Sequence, residues 1–201
     1  MHVPPHTGVT DEHTLLLLHG TGGTERDLLE LGGLVAPGLR LIGVRGQVLE
    51  AGMPRFFRRL AEGVFDEADI VTRAADLAAF VAAAAESYGF DAGKVVALGY
   101  SNGANIAAAL MLLHPRTLSA AALLRTMIPL VPPVLPALHG TSVLMAQGAA
   151  DPIIPRANAE RLAGLLTEAG ADVTLHWEPA GHGLTQADVD LTTRWMGDRR
   201  A

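Results

Sequence analysis

Gly99-Tyr100-Ser101-Asn102-Gly103 carries the clearest chemical signal in the chain. This G-x-S-x-G pattern follows an apolar run, Val95-Val96-Ala97-Leu98, and opens an alanine-rich helical pattern. A sharp turn between strand and helix lifts a serine hydroxyl clear of a sheet, and only small residues beside it escape a clash. Of the four serines, Ser87, Ser101, Ser119 and Ser142, only Ser101 has glycines two positions away on both sides. A serine hydroxyl becomes a competent nucleophile when a base takes its proton. The plainer alternative is an ordinary glycine-flanked turn.

A base and an acid are therefore sought just past other strand ends, where open α/β sheets build their sites. Gly148-Ala149-Ala150-Asp151-Pro152 follows the apolar run at Ser142–Gln147, and Glu178-Pro179-Ala180-Gly181-His182-Gly183 follows Val173–Trp177. His182 would accept the Ser101 proton through one ring nitrogen, while Asp151 would hold the other N–H and stabilise the imidazolium. Taken singly, each has a bland alternative: Asp-Pro is a common turn pair, and a histidine between glycines can be a simple loop residue. The remaining histidines fit less well. His176 lies inside a strand, His114 ends a helix before Pro115, and His139 precedes a strand. Asp188 and Asp190 fall in the final helix and are expected on its solvated face. A fourth element, His19-Gly20-Thr21-Gly22-Gly23, ends the first long strand. Acyl transfer needs N–H donors aimed at a developing oxyanion, and a glycine-rich turn lets backbone amides face a ligand. The expected donors are the N–H groups of Thr21 and Asn102, aided by the partial positive charge of the helix that follows Ser101. His19 is expected to be a hydrogen-bonded structural residue.

The elements that must position these groups alternate along the chain. Strands are expected at Thr14–Leu18, Arg40–Val44, Val95–Tyr100, Ala120–Leu124, Ser142–Gln147 and Val173–Trp177. Most are apolar throughout, the pattern of strands buried on both faces of a parallel sheet. Between them, Asp69–Tyr88 places Ile70, Ala74, Leu77, Val81, Ala85 and Tyr88 on one helical stripe, with Gly89 as a C-cap. Arg156–Ala169 is closed by Gly170, and Gln186–Met196 ends the chain's regular structure. This alternation predicts a mainly parallel, doubly wound α/β sheet of six or seven strands flanked by helices. Residues 1–201 read as a single domain, with residues 1–12 an N-terminal extension or an edge strand. Arg45–Glu67 is expected as a long loop, and long loops in compact domains are often functional. Met127–Leu138, with four prolines, is a second irregular stretch.

Composition narrows the chemistry. About half of the 201 residues are apolar (49%), and the net charge is −6. No basic block suggests nucleic acid as a partner. The absence of cysteine removes disulfides and Cys-ligated metals, and with them the thiolate nucleophile of a cysteine-based dienelactone hydrolase. A metal hydrolase would need a motif such as H-E-x-x-H, which is missing. No metal or other cofactor is expected. No signal peptide or apolar span long enough for a bilayer is visible, so a cytoplasmic protein without stable membrane insertion is expected.

Four elements in this order resemble the phospholipase/carboxylesterase family of α/β-hydrolases, which includes the acyl-protein thioesterases. The likeness is strongest to a bacterial carboxylesterase branch. It is carried by His19-Gly20-Thr21-Gly22-Gly23, by Arg45-Gly46 through Glu50-Ala51-Gly52-Met53-Pro54-Arg55-Phe56-Phe57-Arg58-Arg59, and by Gly99-Tyr100-Ser101-Asn102-Gly103-Ala104-Asn105. The resemblance implies an α/β-hydrolase fold without a large lid domain. It implies Ser101 as nucleophile, Asp151 as acid, His182 as base, and Thr21 and Asn102 as oxyanion donors. It also implies a serine carboxylesterase acting on small or medium esters. An acyl-protein thioesterase or lysophospholipase-type hydrolase is a close alternative, and a non-catalytic small-molecule binding protein on the same scaffold a distant one. Members of the family often dimerise, so a homodimer is an expectation with no interface legible in the sequence. Two departures stand out: Thr24 in place of an acidic residue, and Ala51 where the branch often has asparagine. Met53, Phe56, Phe57 and Met127 are candidates for an apolar substrate pocket; Phe56 and Phe57 are equally suited to anchor their loop in the core. Arg55, Arg58 and Arg59 are read as a solvated face with surface ion pairs, the alternative being a grip on a substrate carboxylate.

Overall fold

The computed structural model describes residues 2–3 and 12–198. In chain order the elements are β1 (His2–Val3), β2 (Thr14–Leu18), α1 (Leu29–Val35), β3 (Arg40–Val44), β4 (Val48–Glu50), β5 (Met53–Arg55), β6 (Arg59–Ala61), β7 (Val64–Phe65), α2 (Glu67–Tyr88), a 3-10 turn at Ala92–Lys94, β8 (Val95–Tyr100), α3 (Asn102–Leu113), β9 (Ala120–Leu124), β10 (Ser142–Gly148), α4 (Arg156–Glu168), β11 (Asp172–Glu178) and α5 (Gln186–Gly197). Seven strands form one sheet in the order β1-β3-β2-β8-β9-β10-β11. All neighbours are parallel except β1, which pairs antiparallel with β3 through His2↔Val44 and Val3↔Gly43. The N-terminal stretch thus contributes a short edge strand, while residues 4–11 of it lie outside the described residues.

The leucine run of β2 explains the two-sided core. Successive strand residues point to opposite faces. Leu16 and Leu18 enter a core beneath α2, α3 and α4, whereas Leu15 and Leu17 enter a second core with Trp195 and Met196 of α5. All four leucines are at most 2% exposed. Continuous apolar runs are therefore required of the inner strands, which is why these were predictable from local sequence, whereas the edge strand β11 carries exposed Asp172 and Thr174 between half-buried neighbours. The ends of two helices follow from glycine. Gly89 closes α2 with φ 64° and Gly170 follows α4 with φ 95°, left-handed conformations that side chains resist. No large lid domain is inserted among the described residues.

Two features depart from the sequence expectation. Helix α1 was unforeseen because Gly32-Gly33 and the lack of a side-chain cap give it no local signal. Gly32 instead lets the helix sit close on β2, where a Cβ would come within 3.0 Å of the Leu17 side chain. The long connection after β3 is not an open loop but two hairpins, β4–β5 and β6–β7. The first turns through Ala51 (φ 49°) and Gly52 (φ 80°), the paired left-handed residues of a two-residue hairpin turn. Ala51 carries a Cβ into a conformation that asparagine or glycine enters with less strain. Ala51→Asn and Ala51→Gly are each expected to stabilise the protein by about 0.5–1 kcal/mol. Thermal unfolding checks this; a midpoint unchanged or lowered in both variants would contradict the turn assignment.

Candidate active site

Ser101 sits at the sheet's carboxyl edge between β8 and α3, with φ 53° and ψ −115°. Such a backbone is strained for a residue with a Cβ, and strain of this kind is kept only where the surroundings enforce it. Two glycines make the turn fit. A Cβ on Gly99 would come within 2.7 Å of Ala104 Cα, and one on Gly103 would overlap the carbonyl of Leu18. Gly103 thereby lets the end of β2 approach the start of α3. The Ser101 N–H donates to the Leu124 carbonyl at 2.9 Å, tying the turn to the tip of β9.

The loops after β10 and β11 carry the acid and the imidazole. Gly148 pairs with Glu178 at the matched ends of the two strands. A Cβ there would overlap the Gly181 carbonyl, so only glycine lets the second loop cross the first. Ala149 N–H donates to Glu178 O (2.7 Å) and Ala150 N–H to Ala180 O (2.9 Å), stitching the loops together. His182 Nδ1 lies 2.7 Å from Asp151 Oδ2, and His182 Nε2 lies 2.9 Å from Ser101 Oγ. The other Asp151 oxygen accepts from the Ile153 and Ile154 N–H groups, and its side chain is 1% exposed. With the carboxylate fixed this way the imidazole proton belongs on Nδ1, leaving Nε2 free to accept from the serine. The Tyr100 hydroxyl donates to the His182 carbonyl at 3.1 Å. Burial pushes the Tyr100 pKa up, overcoming the opposing pull of Arg125, so the hydroxyl stays protonated and able to donate.

The turn after β2 is held from two sides. His19 is buried, with Nδ1 2.6 Å from the Gly20 carbonyl and Nε2 accepting from Gly46 N–H at 3.0 Å. A donor on one ring nitrogen and an acceptor on the other define a neutral imidazole. Burial is the main cause of its lowered pKa. His19 is thus structural, as the sequence led one to expect. The hairpin β4–β5 grips the same turn: Gly22 N–H donates to Pro54 O at 2.9 Å, and Arg55 Nη1 donates to Thr21 Oγ1 at 2.7 Å.

Around Ser101 and His182 lies a cavity of about 250 Å³. Its polar lining comes from Thr21, Asn102, Asn105, Arg55, Arg59 and Glu62, and its apolar lining from Phe65, Met127, Ile153 and Ile154. Ser101, Asp151 and His182 meet, and Thr21, Asn102 and Met127 face the same space. The other pocket candidates do not. Phe57 is 0% exposed and packs edge-on to Phe65, while Phe56 packs against His19 with ring centroids 4.8 Å apart and planes tilted by 37°. Both anchor the hairpin connection in the core. Met53 lies against Gly22, outside the cavity and 40% exposed. Arg55 is no surface residue: it is buried, paired with Glu50 at 3.2 Å, and lines the cavity beside Arg59. Only Arg58 matches the solvated reading, at 62% exposed. Asp188 is also displaced from expectation. It is 1% exposed and forms a buried pair with Arg125, a residue that sequence reading passed over. The available signal was its place one residue beyond an apolar strand, the same edge that singled out Asp151 and His182.

Fold and site together define an α/β-hydrolase. The dienelactone hydrolase family model matches residues 53–194, and the chain belongs to that family. The absence of cysteine still excludes a thiolate nucleophile, and serine stands at the strand-to-helix turn. MhqD of Bacillus subtilis, which carries a hydrolase designation, is 46% identical over 186 residues, covering 92% of this chain and 93% of that protein. The crystal structure of a Bacillus cereus carboxylesterase superposes with a TM-score of 0.95 at 48% identity, covering 98% of this chain and 93% of the other. A carboxylesterase from Mesorhizobium loti gives 0.87 at 35% identity, covering 94% and 90%. The chain is accordingly a hydrolase of the dienelactone hydrolase and carboxylesterase type.

The buried neutral His19 makes stability depend on pH. Its folded pKa lies below the unfolded value of about 6.5, so the unfolded chain takes up the proton first. Its neutral form is fully compatible with the fold above that value, and stability is lost as pH falls below it. Urea unfolding between about pH 7.5 and 5 is expected to show this loss, with a shallower slope in His19→Gln. Equal slopes in the two proteins would rule His19 out as the source.

Proposed function

We propose that this protein is a serine carboxylesterase that hydrolyses small or medium carboxylic esters through an acyl-enzyme on Ser101. The observation that carries this reading is the continuous relay from Ser101 Oγ to His182 Nε2 (2.9 Å) and from His182 Nδ1 to Asp151 Oδ2 (2.7 Å). The ester carbonyl enters the cavity beside Ser101. As Oγ attacks the carbonyl carbon, His182 Nε2 takes the hydroxyl proton, and Asp151 stabilises the resulting imidazolium. The carbonyl oxygen becomes an oxyanion. The backbone N–H groups of Thr21 and Asn102 are its donors, and Asn102 adds the N-terminal field of α3. Collapse of the tetrahedral intermediate breaks the bond to the alcohol oxygen, which leaves with the proton from His182. Water then repeats the sequence on the acyl-enzyme, giving up a proton to His182 and releasing the carboxylic acid and Ser101.

The mixed lining of the cavity supports a substrate with both an apolar and a polar part. Phe65, Met127, Ile153 and Ile154 offer contact to a short hydrocarbon group, while Arg55, Arg59 and Glu62 favour a polar one. At about 250 Å³ it suits compact esters better than long lipid chains.

Ser101→Ala is expected to abolish ester turnover while preserving cooperative unfolding, and to abolish labelling by a fluorophosphonate probe. Appreciable residual esterase activity would refute the nucleophile. Asp151→Asn is expected to lower kcat by about 10⁴-fold, because the imidazole then adopts the wrong tautomer. A series of p-nitrophenyl esters of increasing acyl length checks the substrate range. A steep rise of kcat/KM toward long chains would contradict the compact-ester reading.

A further inference from the structure

His182 stands between two glycines, Gly181 and Gly183. Glycine restrains a backbone less than any other residue, so this loop has little intrinsic preference for the geometry that the relay needs. Besides the Tyr100 hydroxyl on the His182 carbonyl, the restraint comes from Arg125, one residue past β9 and 0% exposed. Its backbone is left-handed, with φ 56°, and its own N–H donates to Ala146 O at 2.8 Å. From there the guanidinium uses all five of its N–H donors. Nε donates to Gly181 O at 3.0 Å. Nη1 donates to Ala146 O at 3.1 Å and to Asp188 Oδ1 at 2.8 Å. Nη2 donates to Gly183 O at 3.0 Å and to Asp188 Oδ2 at 2.7 Å. The carbonyls immediately before and after the imidazole-bearing residue are thus held by one rigid, planar group.

We propose that Arg125, oriented by Asp188, is a positioning residue for His182, fixing the loop so that Nδ1 meets Asp151 and Nε2 meets Ser101. The inference rests on the reading of His182 as the general base. Asp188 is suited to the orienting part because it is anchored independently. It is the third residue of α5, completes a capping box with the N-cap Thr185, and accepts from the Thr185 N–H (2.8 Å) and the Thr185 hydroxyl (3.0 Å). Burial alone would raise its pKa, but the bonds from Arg125 and Thr185 outweigh burial and hold it below the usual carboxylate range. It therefore stays ionised opposite the guanidinium. A lysine cannot substitute, since its three donors radiate from one point and cannot span Gly181 and Gly183 while holding a bidentate carboxylate.

Two variants test this. Arg125→Lys keeps the charge and loses the fork. The double variant Arg125→Met/Asp188→Leu removes both charges together, because deleting one would strand the other in the core. Each is assayed for kcat and KM on a p-nitrophenyl ester, for the rate of fluorophosphonate labelling, and by proton NMR of the His182 Nδ1–H. Thermal unfolding identifies the temperature below which each variant is folded. Kcat and labelling rate are expected to fall about 100-fold with KM unchanged, the loss typical of a catalytic group displaced by about 1 Å. The Nδ1 proton resonance is expected to shift or broaden in both. Should both variants keep kcat, labelling rate and the Nδ1 resonance of the parent, or lose only KM, the positioning role is wrong. His182→Ala serves as the reference. If it retains turnover, the base assignment itself fails. If it abolishes turnover while the Arg125 variants do not lose kcat, only the positioning role fails.

Discussion

The contact between Ser101 Oγ and His182 Nε2 closes a separation of 81 residues at 2.9 Å. Neither side chain reaches the other unless four parallel strands end at one level. The register supplies that condition: Tyr100 pairs with Leu124, Leu124 with Ala146 and Gly148 with Glu178. A one-residue slip in any of these ladders would send core side chains to the wrong face, so the buried sheet holds the register firmly. The leucines and alanines of the strands act on the site at a distance, by making the alternatives to this alignment expensive.

At the sheet edge, fixation passes from apolar packing to polar groups with little water around them. Hydrogen bonds are electrostatically stronger there, and an unmatched polar group costs more. Neutral His19 joins the turn after β2 to Gly46, and Arg55 joins the same turn to the β4–β5 hairpin. Arg125 joins the histidine loop to β9, β10 and α5. The Arg125–Asp188 pair is not well explained as a source of stability, since desolvation of both charges offsets much of their attraction. Its geometric specificity is the better account: two of the five directed donors hold the Gly181 and Gly183 carbonyls of a loop that two glycines would otherwise leave loose, and the other three fix the guanidinium on Ala146 and Asp188.

The same reasoning separates the arginines of the hairpin region. Arg58 is largely exposed, whereas Arg55 is buried and lines the cavity with Arg59. Adjacent residues in one polar-looking segment thus belong to different environments because β4–β5 folds back over the turn after β2. Phe56 and Phe57 fill the space this leaves against the core. The resulting cavity is lined both by hydrocarbon, from Phe65, Met127, Ile153 and Ile154, and by the charged side chains of Arg55, Arg59 and Glu62.

Local sequence determined the inner parallel strands, because residues buried on both faces must be apolar in an unbroken run, and it marked the ends of α2 and α4, because Gly89 and Gly170 relieve a backbone strain that arises within a few bonds. It also marked Ser101, Asp151 and His182 as residues at strand ends, since that placement depends only on where each apolar run stops. Helix α1, the two hairpins, the inward turn of Phe56 and Phe57 and the burial of Asp188 were decided by tertiary structure. Gly32 needs β2 beneath it to explain its presence in a helix, and Asp188 reads as a surface residue of α5 until Arg125, 63 positions earlier, is set against it. The sequence written in one dimension carries the periodicity and the punctuation; which buried charge finds its partner depends on free energies that exist only once distant segments are in contact.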